Sequence, residues 1–401
     1  MSEQYLGNMV FDITRTLKDY DYTKNSVINF NRIISSREFE DMPSETIFRY
    51  LQDQMEIVSF GDYLRRYIYE GSGMKEPFAE LGKEFYVSVI SDSFAMNRAP
   101  HAFRPVKTRW SNIIKRWLRS NAAERDTVFL LGFGLNMSDR DVSEFLMKVI
   151  KEQDFRFDDP RETAFWFCYH HGYPYSTALE LLEDYRTADQ KVEDVNPKFW
   201  ESVKGSLTVY LSNPEKLKEY LRYLKLCGEQ DKDLIFHEFE SIYARAVAAA
   251  RVVAAGGEVP QKERELSGAF DIESLLYSGI PRTGNKNLTA ADRSTLSAHF
   301  QKKRISRQRL SRLLRRETEA DRFDLMTLLF LVYAITVEPE WPNFRYMTFI
   351  DEANEILLKC HMLGIYPVNP YESFVLMCLL TEDPLAVYND VWEISYQQED
   401  E

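Results

Sequence analysis

Pro160-Arg161-Glu162-Thr163-Ala164-Phe165-Trp166-Phe167-Cys168 and Pro370-Tyr371-Glu372-Ser373-Phe374-Val375-Leu376-Met377-Cys378 are two writings of one pattern. Proline, glutamate and cysteine recur at a displacement of 210 residues, and so does the proline that follows, Pro174 and Pro384. Just upstream, Glu144-Phe145-Leu146-Met147-Lys148 matches Glu355-Ile356-Leu357-Leu358-Lys359 after a one-residue shift. Coincidences at fixed spacing indicate a duplicated helical module, and place the function in what two copies do together. Each copy has proline at a helix start, an apolar block of helical length and a proline or Gly172/Pro174 stop.

Composition agrees with an all-α fold. Gly and Pro are scarce, at 16 and 15 in 401 residues, which disfavours a turn-rich β architecture, and no stretch alternates like a strand. Phe and Tyr number 26 and 23, enough for large ring-rich cores. The net charge of -13 speaks against a general cationic coat, so any polyanion site must be a local patch. Cys168, Cys227, Cys360 and Cys378 are isolated, without a Cys-x-x-Cys pair, which fits a reducing compartment better than a disulfide framework. The start, Met1-Ser2-Glu3-Gln4, has no basic and apolar leader, and the longest apolar run, Leu325 to Ile335, is too short to span a bilayer. A soluble cytoplasmic protein is expected.

In chain order, residues 1–45 read as a capping segment. One helical run extends from Glu45 to Glu70, with Phe48, Leu51, Phe60, Tyr63, Leu64 and Ile68 stepping by threes and fours. The expected organisation is an N-terminal module over 1–186 (repeat core 60–185), a helical spacer over 187–255, a flexible linker over 256–267 and a second module over 268–401.

Each module holds a basic, acid-free segment. From Asn97 to Ala123 there is no Asp or Glu, and Trp110, Ile113, Ile114, Trp117 and Leu118 share one helical face opposite Arg109, Asn112, Arg116 and Arg119. Gln301 to Arg316 is likewise acid-free, with Leu310, Leu313 and Leu314 inward and Gln308, Arg309, Arg312, Arg315 and Arg316 outward. Such rows suit a phosphate backbone, and Arg, Gln and Asn also read purine edges. The candidate nucleic-acid contacts are therefore Arg109, Asn112, Lys115, Arg116 and Arg119 in the first copy and Arg307, Gln308, Arg309, Arg312, Arg315 and Arg316 in the second. Arg104, Lys107, Lys302 and Lys303 would hold phosphates.

Enzyme chemistry finds no comparable signal. The six histidines lack metal-ligand spacing; Gly132-Phe133-Gly134 lacks the third glycine of a dinucleotide loop; no phosphate loop or nucleophile elbow occurs. Cys168 and Cys378 sit in apolar runs as small core residues. No cofactor or metal is expected.

The order Ile305-Ser306-Arg307-Gln308-Arg309-Leu310-Ser311-Arg312-Leu313-Leu314, then Arg322-Phe323-Asp324 and an apolar helix, resembles the Cro/C1-type (XRE) helix-turn-helix regulators of Firmicutes. Arg125-Asp126, Val128, Leu130-Leu131-Gly132-Phe133-Gly134-Leu135 and Ser138 are similar in the first copy. The resemblance implies two helix-turn-helix-like modules acting as a built-in pseudo-dimer on duplex DNA, a non-enzymatic regulator that could also form a homodimer. The rival expectation is a helical interaction scaffold whose arginine faces meet an acidic protein partner.

Overall fold

A computed structural model describes residues 28, 30–32, 34, 44–53, 55, 57–73, 75–103, 108–187, 196–254, 268–278, 295–301, 303–337 and 342–397. The described residues are all-α, with no strand among them. They fall into two compact units, one of residues 58–231 and one joining 1–57 to 232–401. The helices are α1 (Ser44–Asp53), α2 (Phe60–Ser72), α3 (Lys83–Met96), α4 (Trp110–Trp117), α5 (Arg125–Gly134), α6 (Asp139–Glu144, running into a π turn Phe145–Val149), α7 (Pro160–His171) and α8 (Tyr175–Thr187). Then come α9 (Pro197–Val203), α10 (Leu207–Tyr210), α11 (Pro214–Ala254), α12 (Gly268–Leu276), α13 (Thr295–Gln301), α14 (Arg307–Leu314), α15 (Arg322–Thr336), α16 (Pro342–Lys359), α17 (Pro370–Leu379) and α18 (Pro384–Gln397). None of the described helices is long and apolar enough to cross a membrane.

The repeated stretch forms α7 and α17, and the sequence dictates both starts. Asp159 and Asn369 are the N-caps, each accepting hydrogen bonds from the second and third N–H groups of its helix, and proline takes the first position, where no N–H is needed. Every residue of α17 is buried, and in α7 the run Glu162 to Tyr169 is buried. An all-round apolar helix belongs in a core, and each of these is the centre of its own. Cys168 and Cys378 lie fully inside, and burial pushes the Cys168 thiol up to about 12, so both are packing residues.

Close packing also explains Gly132 and Gly134. A methyl group at Gly134 would run into the Phe94 ring, and one at Gly132 would lie 2.8 Å from Val142 Cγ2. Ser138 caps α6 through a reciprocal box with Asp141.

Two boundaries differ from the sequence expectation. The periodic run Glu45 to Glu70 is two helices, α1 and α2, separated near Val58 and Ser59, whose backbone leaves the helical region. Their apolar stripes share a spacing because each buries one face, but in separate cores: Ile47, Phe48 and Leu51 with α17 and α18, Phe60, Leu64 and Ile68 with the rings around Phe145. The second boundary, Asp231/Lys232, falls inside the continuous helix α11. Leu217, Tyr220 and Leu224 belong to one core and Phe239, Ile242 and Ala246 to the other, so the expected spacer is shared out between the units. The expected linker 256–267 lies outside the described residues, as does most of the capping segment 1–45.

Candidate nucleic-acid interface

Each basic helix is followed by an apolar helix that opens with an arginine, and that arginine is locked by the repeated glutamate. In the first unit Arg125, the first residue of α5, places Nε 3.1 Å and Nη2 2.5 Å from the Glu162 carboxylate. Its remaining N–H groups donate to the carbonyls of Gln153 and Asp154 at 2.6 and 3.1 Å. In the second, Arg322 opens α15 with Nε 2.8 Å and Nη2 2.9 Å from Glu372, and donates to the carbonyls of Leu363 and Gly364. The correspondence extends to the loop before the helix: Arg156 N and Tyr366 N donate to the same carboxylate oxygen of their glutamate, and Thr163 and Ser373 hydroxyls donate to Phe157 and Pro367 carbonyls. A nearly dry ion pair, bidentate for Arg125 and carried by the Nη2 hydrogen bond for Arg322, fixes the start of one helix against another.

The two clamps differ in charge. Burial would raise the Glu162 carboxyl, but Arg125 and Arg156 together hold it below the usual glutamate value. Glu372 bonds a single guanidinium, that of Arg322, with a weaker pull from Lys303 and with Tyr366 where Arg156 stands in the first copy. Burial wins there, and its carboxyl is raised.

On this frame sits α4. Ile113, Ile114, Trp117 and Leu118 are buried as expected, and Trp110 packs on Phe94, Trp117 and His101 with ring centroids 4.9 to 5.2 Å apart. Arg109, Asn112, Arg116 and Arg119 are exposed. Among the described residues no ion pair reaches Arg109, Arg116 or Arg119. Lys115 is half-buried and pairs with Glu84 of α3 at 3.0 Å. Arg104 and Lys107 lie outside the described residues.

The second helix, α14, is arranged otherwise. Ser306 caps it by accepting from Arg309 N, and Leu310 and Leu313 are buried, but Leu314 is exposed, outside the inward face expected for it. Arg309 does not point away. As the third residue of α14 it reaches the start of α15, where its guanidinium bonds Asp324 at 2.6 and 3.3 Å, the Thr318 hydroxyl and the Glu319 carbonyl. Arg312 and Arg315 stand 4.0 and 3.8 Å from one carboxylate, Glu317, and Arg316 stands 3.1 Å from Asp233. Lys303 lies over the Phe323 ring at 3.7 Å; Arg307 and Gln308 are exposed; Lys302 is outside the described residues.

Sequence reasoning overlooked these carboxylates. Asp321 and Asp324 form a capping box that the Asp-x-x-Asp spacing announces, and Glu317 directly follows the acid-free run. Asp233 is 83 residues from Arg316, and no local signal ties the two together. No family model, curated protein or solved structure matches this chain.

Proposed function

We propose that the chain is a non-enzymatic nucleic-acid-binding regulator that meets duplex DNA through the outer face of α4. The observation that carries this reading is the contrast between the two arginine rows: Arg109, Arg116 and Arg119 stand exposed and, among the described residues, without a carboxylate partner, while Arg309, Arg312, Arg315 and Arg316 are each paired. Arg109, Arg116 and Arg119 neutralise phosphates, and Asn112, between them on the same face, is the side chain suited to a base edge. In this reading the second helix-turn-helix-like copy keeps the architecture, and its arginines serve the fold more than the duplex.

Three phosphate contacts give a salt slope of about -2.7, or ~40-fold weaker binding between 50 and 200 mM salt. Binding of a fluorescent random duplex, titrated with salt, checks this; a flat salt response contradicts it. A duplicated scaffold for an acidic protein is the second reading, favoured by the self-paired α14. It gains if no duplex binds at low salt.

A further inference from the structure

Beside the end of α14 lies an open hollow of about 160 Å³. Its floor includes Phe236 and Phe239 of α11 and Leu313 of α14, and Asp233 and Glu319 stand at its rim. The chain's own Arg316 occupies the mouth: its guanidinium carbon is 4.0 Å from the Phe236 ring centroid and Nη1 is 3.1 Å from Asp233. A flat cation over an aromatic face, with a carboxylate at its edge, is how guanidinium groups are recognised, because the fork bonds the acid while the plane stacks.

We propose that this hollow is a recognition site for a guanidinium-bearing guest, with Arg316 as a built-in occupant that the guest displaces. Arg316 can leave cheaply. Its side chain is 60% exposed and sits on the turn that ends α14, where Arg316 N bonds Leu313 O and Glu317 N bonds Arg312 O, bonds that do not involve its side chain. A guest gains the Phe236 and Asp233 contacts that Arg316 gives up. The displaced Arg316 then stands in water beside Arg312 and Arg315. The guest's guanidinium belongs either to a small molecule or to an arginine of a peptide segment.

The test uses the full chain with Arg316→Gly. Position 316 has φ +55°, a conformation glycine adopts freely, so this variant keeps its fold and a melting curve at least as high as the parent's. Calorimetric titration with arginine amide and with a blocked Ala-Ala-Arg-Ala-Ala peptide is expected to show saturable binding, about tenfold tighter than for the unaltered chain. Adding Asp233→Asn or Phe236→Ala removes that gain, and lysine amide, a point charge without a plane, binds more weakly than arginine amide. Tighter binding of the peptide assigns the guest to a protein segment, and equal binding to a small molecule. The proposal is overturned if folded Arg316→Gly takes up neither probe at millimolar concentration, if Asp233→Asn leaves uptake unchanged, or if lysine amide binds as well. None of these readouts depends on DNA binding.

Discussion

The basic helices α4 and α14 hold equivalent places in the order of elements, each ahead of an apolar helix that opens on a clamped arginine, yet their charges have opposite fates. Around α4, Arg109, Arg116 and Arg119 keep to water while Lys115 pairs with Glu84. Around α14, Arg309, Arg312, Arg315 and Arg316 close on carboxylates from their own turn, from the start of α15 and from α11. An acid-free run is a property of the chain, whereas the pairing of its cations is a property of space, and the two rows differ in the second. The clamps carry the same lesson: a shared Arg–Glu geometry is held by two guanidinium groups in one unit and by one in the other.

The largest expected effect breaks the clamps. Glu162→Gln takes the shared carboxylate from Arg125 and from the half-exposed Arg156, leaving Arg125 its two carbonyls and Arg156 only Asp159, and should cost the 58–231 unit about 3 kcal/mol. Glu372→Gln leaves one arginine, still bonded to two carbonyls, and should cost about 1–3 kcal/mol. Native-state hydrogen exchange, read separately over the two units, measures both, and equal losses would erase the distinction.

Acid sharpens it. The Glu162 carboxyl is lowered on folding, so its contribution is full above the ordinary value of 4.5 and fades as the pH falls through the folded value. The Glu372 carboxyl is raised, so its contribution is full below 4.5 and is lost as the pH rises through the folded value. Between pH 6 and 3, then, the stability difference between parent and Glu162→Gln should shrink. Against Glu372→Gln the parent should instead gain. Paired unfolding titrations decide, and parallel trends would contradict the assignment.

A smaller effect comes from releasing the second row. Glu317→Gln with Asp233→Asn should tighten duplex binding about threefold at low salt, because exposed pairs are individually weak. A gel-shift titration reads it. If the same change also tightens binding when the carboxylates Glu183 and Asp184 on α8 are neutralised instead, net charge and not local pairing is responsible.

Much of this frame was legible in the sequence. Fixed spacing gave away the two core helices, their proline starts and buried cysteines, and the alternation of Trp110, Ile113, Ile114 and Trp117 with arginines located the exposed row of α4. The repeated glutamate was visible, but its task was not, because its arginine lies 37 residues upstream in one copy and 50 in the other. Arg309 was misread for a related reason: a helical wheel fixes where a Cα points, whereas a long side chain at the third position can fold back to a neighbouring helix start. The run from Glu45 to Glu70 misled because two helices with one period, serving two cores, look continuous until the break between them is seen.

The most direct test compares the rows in matched variants. Arg109→Ala/Arg116→Ala/Arg119→Ala and Arg307→Ala/Arg312→Ala/Arg315→Ala remove the same formal charge from exposed helix faces, and both should fold. For a duplex at low salt the first set should lose about two orders of magnitude in affinity and flatten the salt slope by about three, with the second within about threefold of the parent. Equal losses, or a larger loss from the second set, would contradict it.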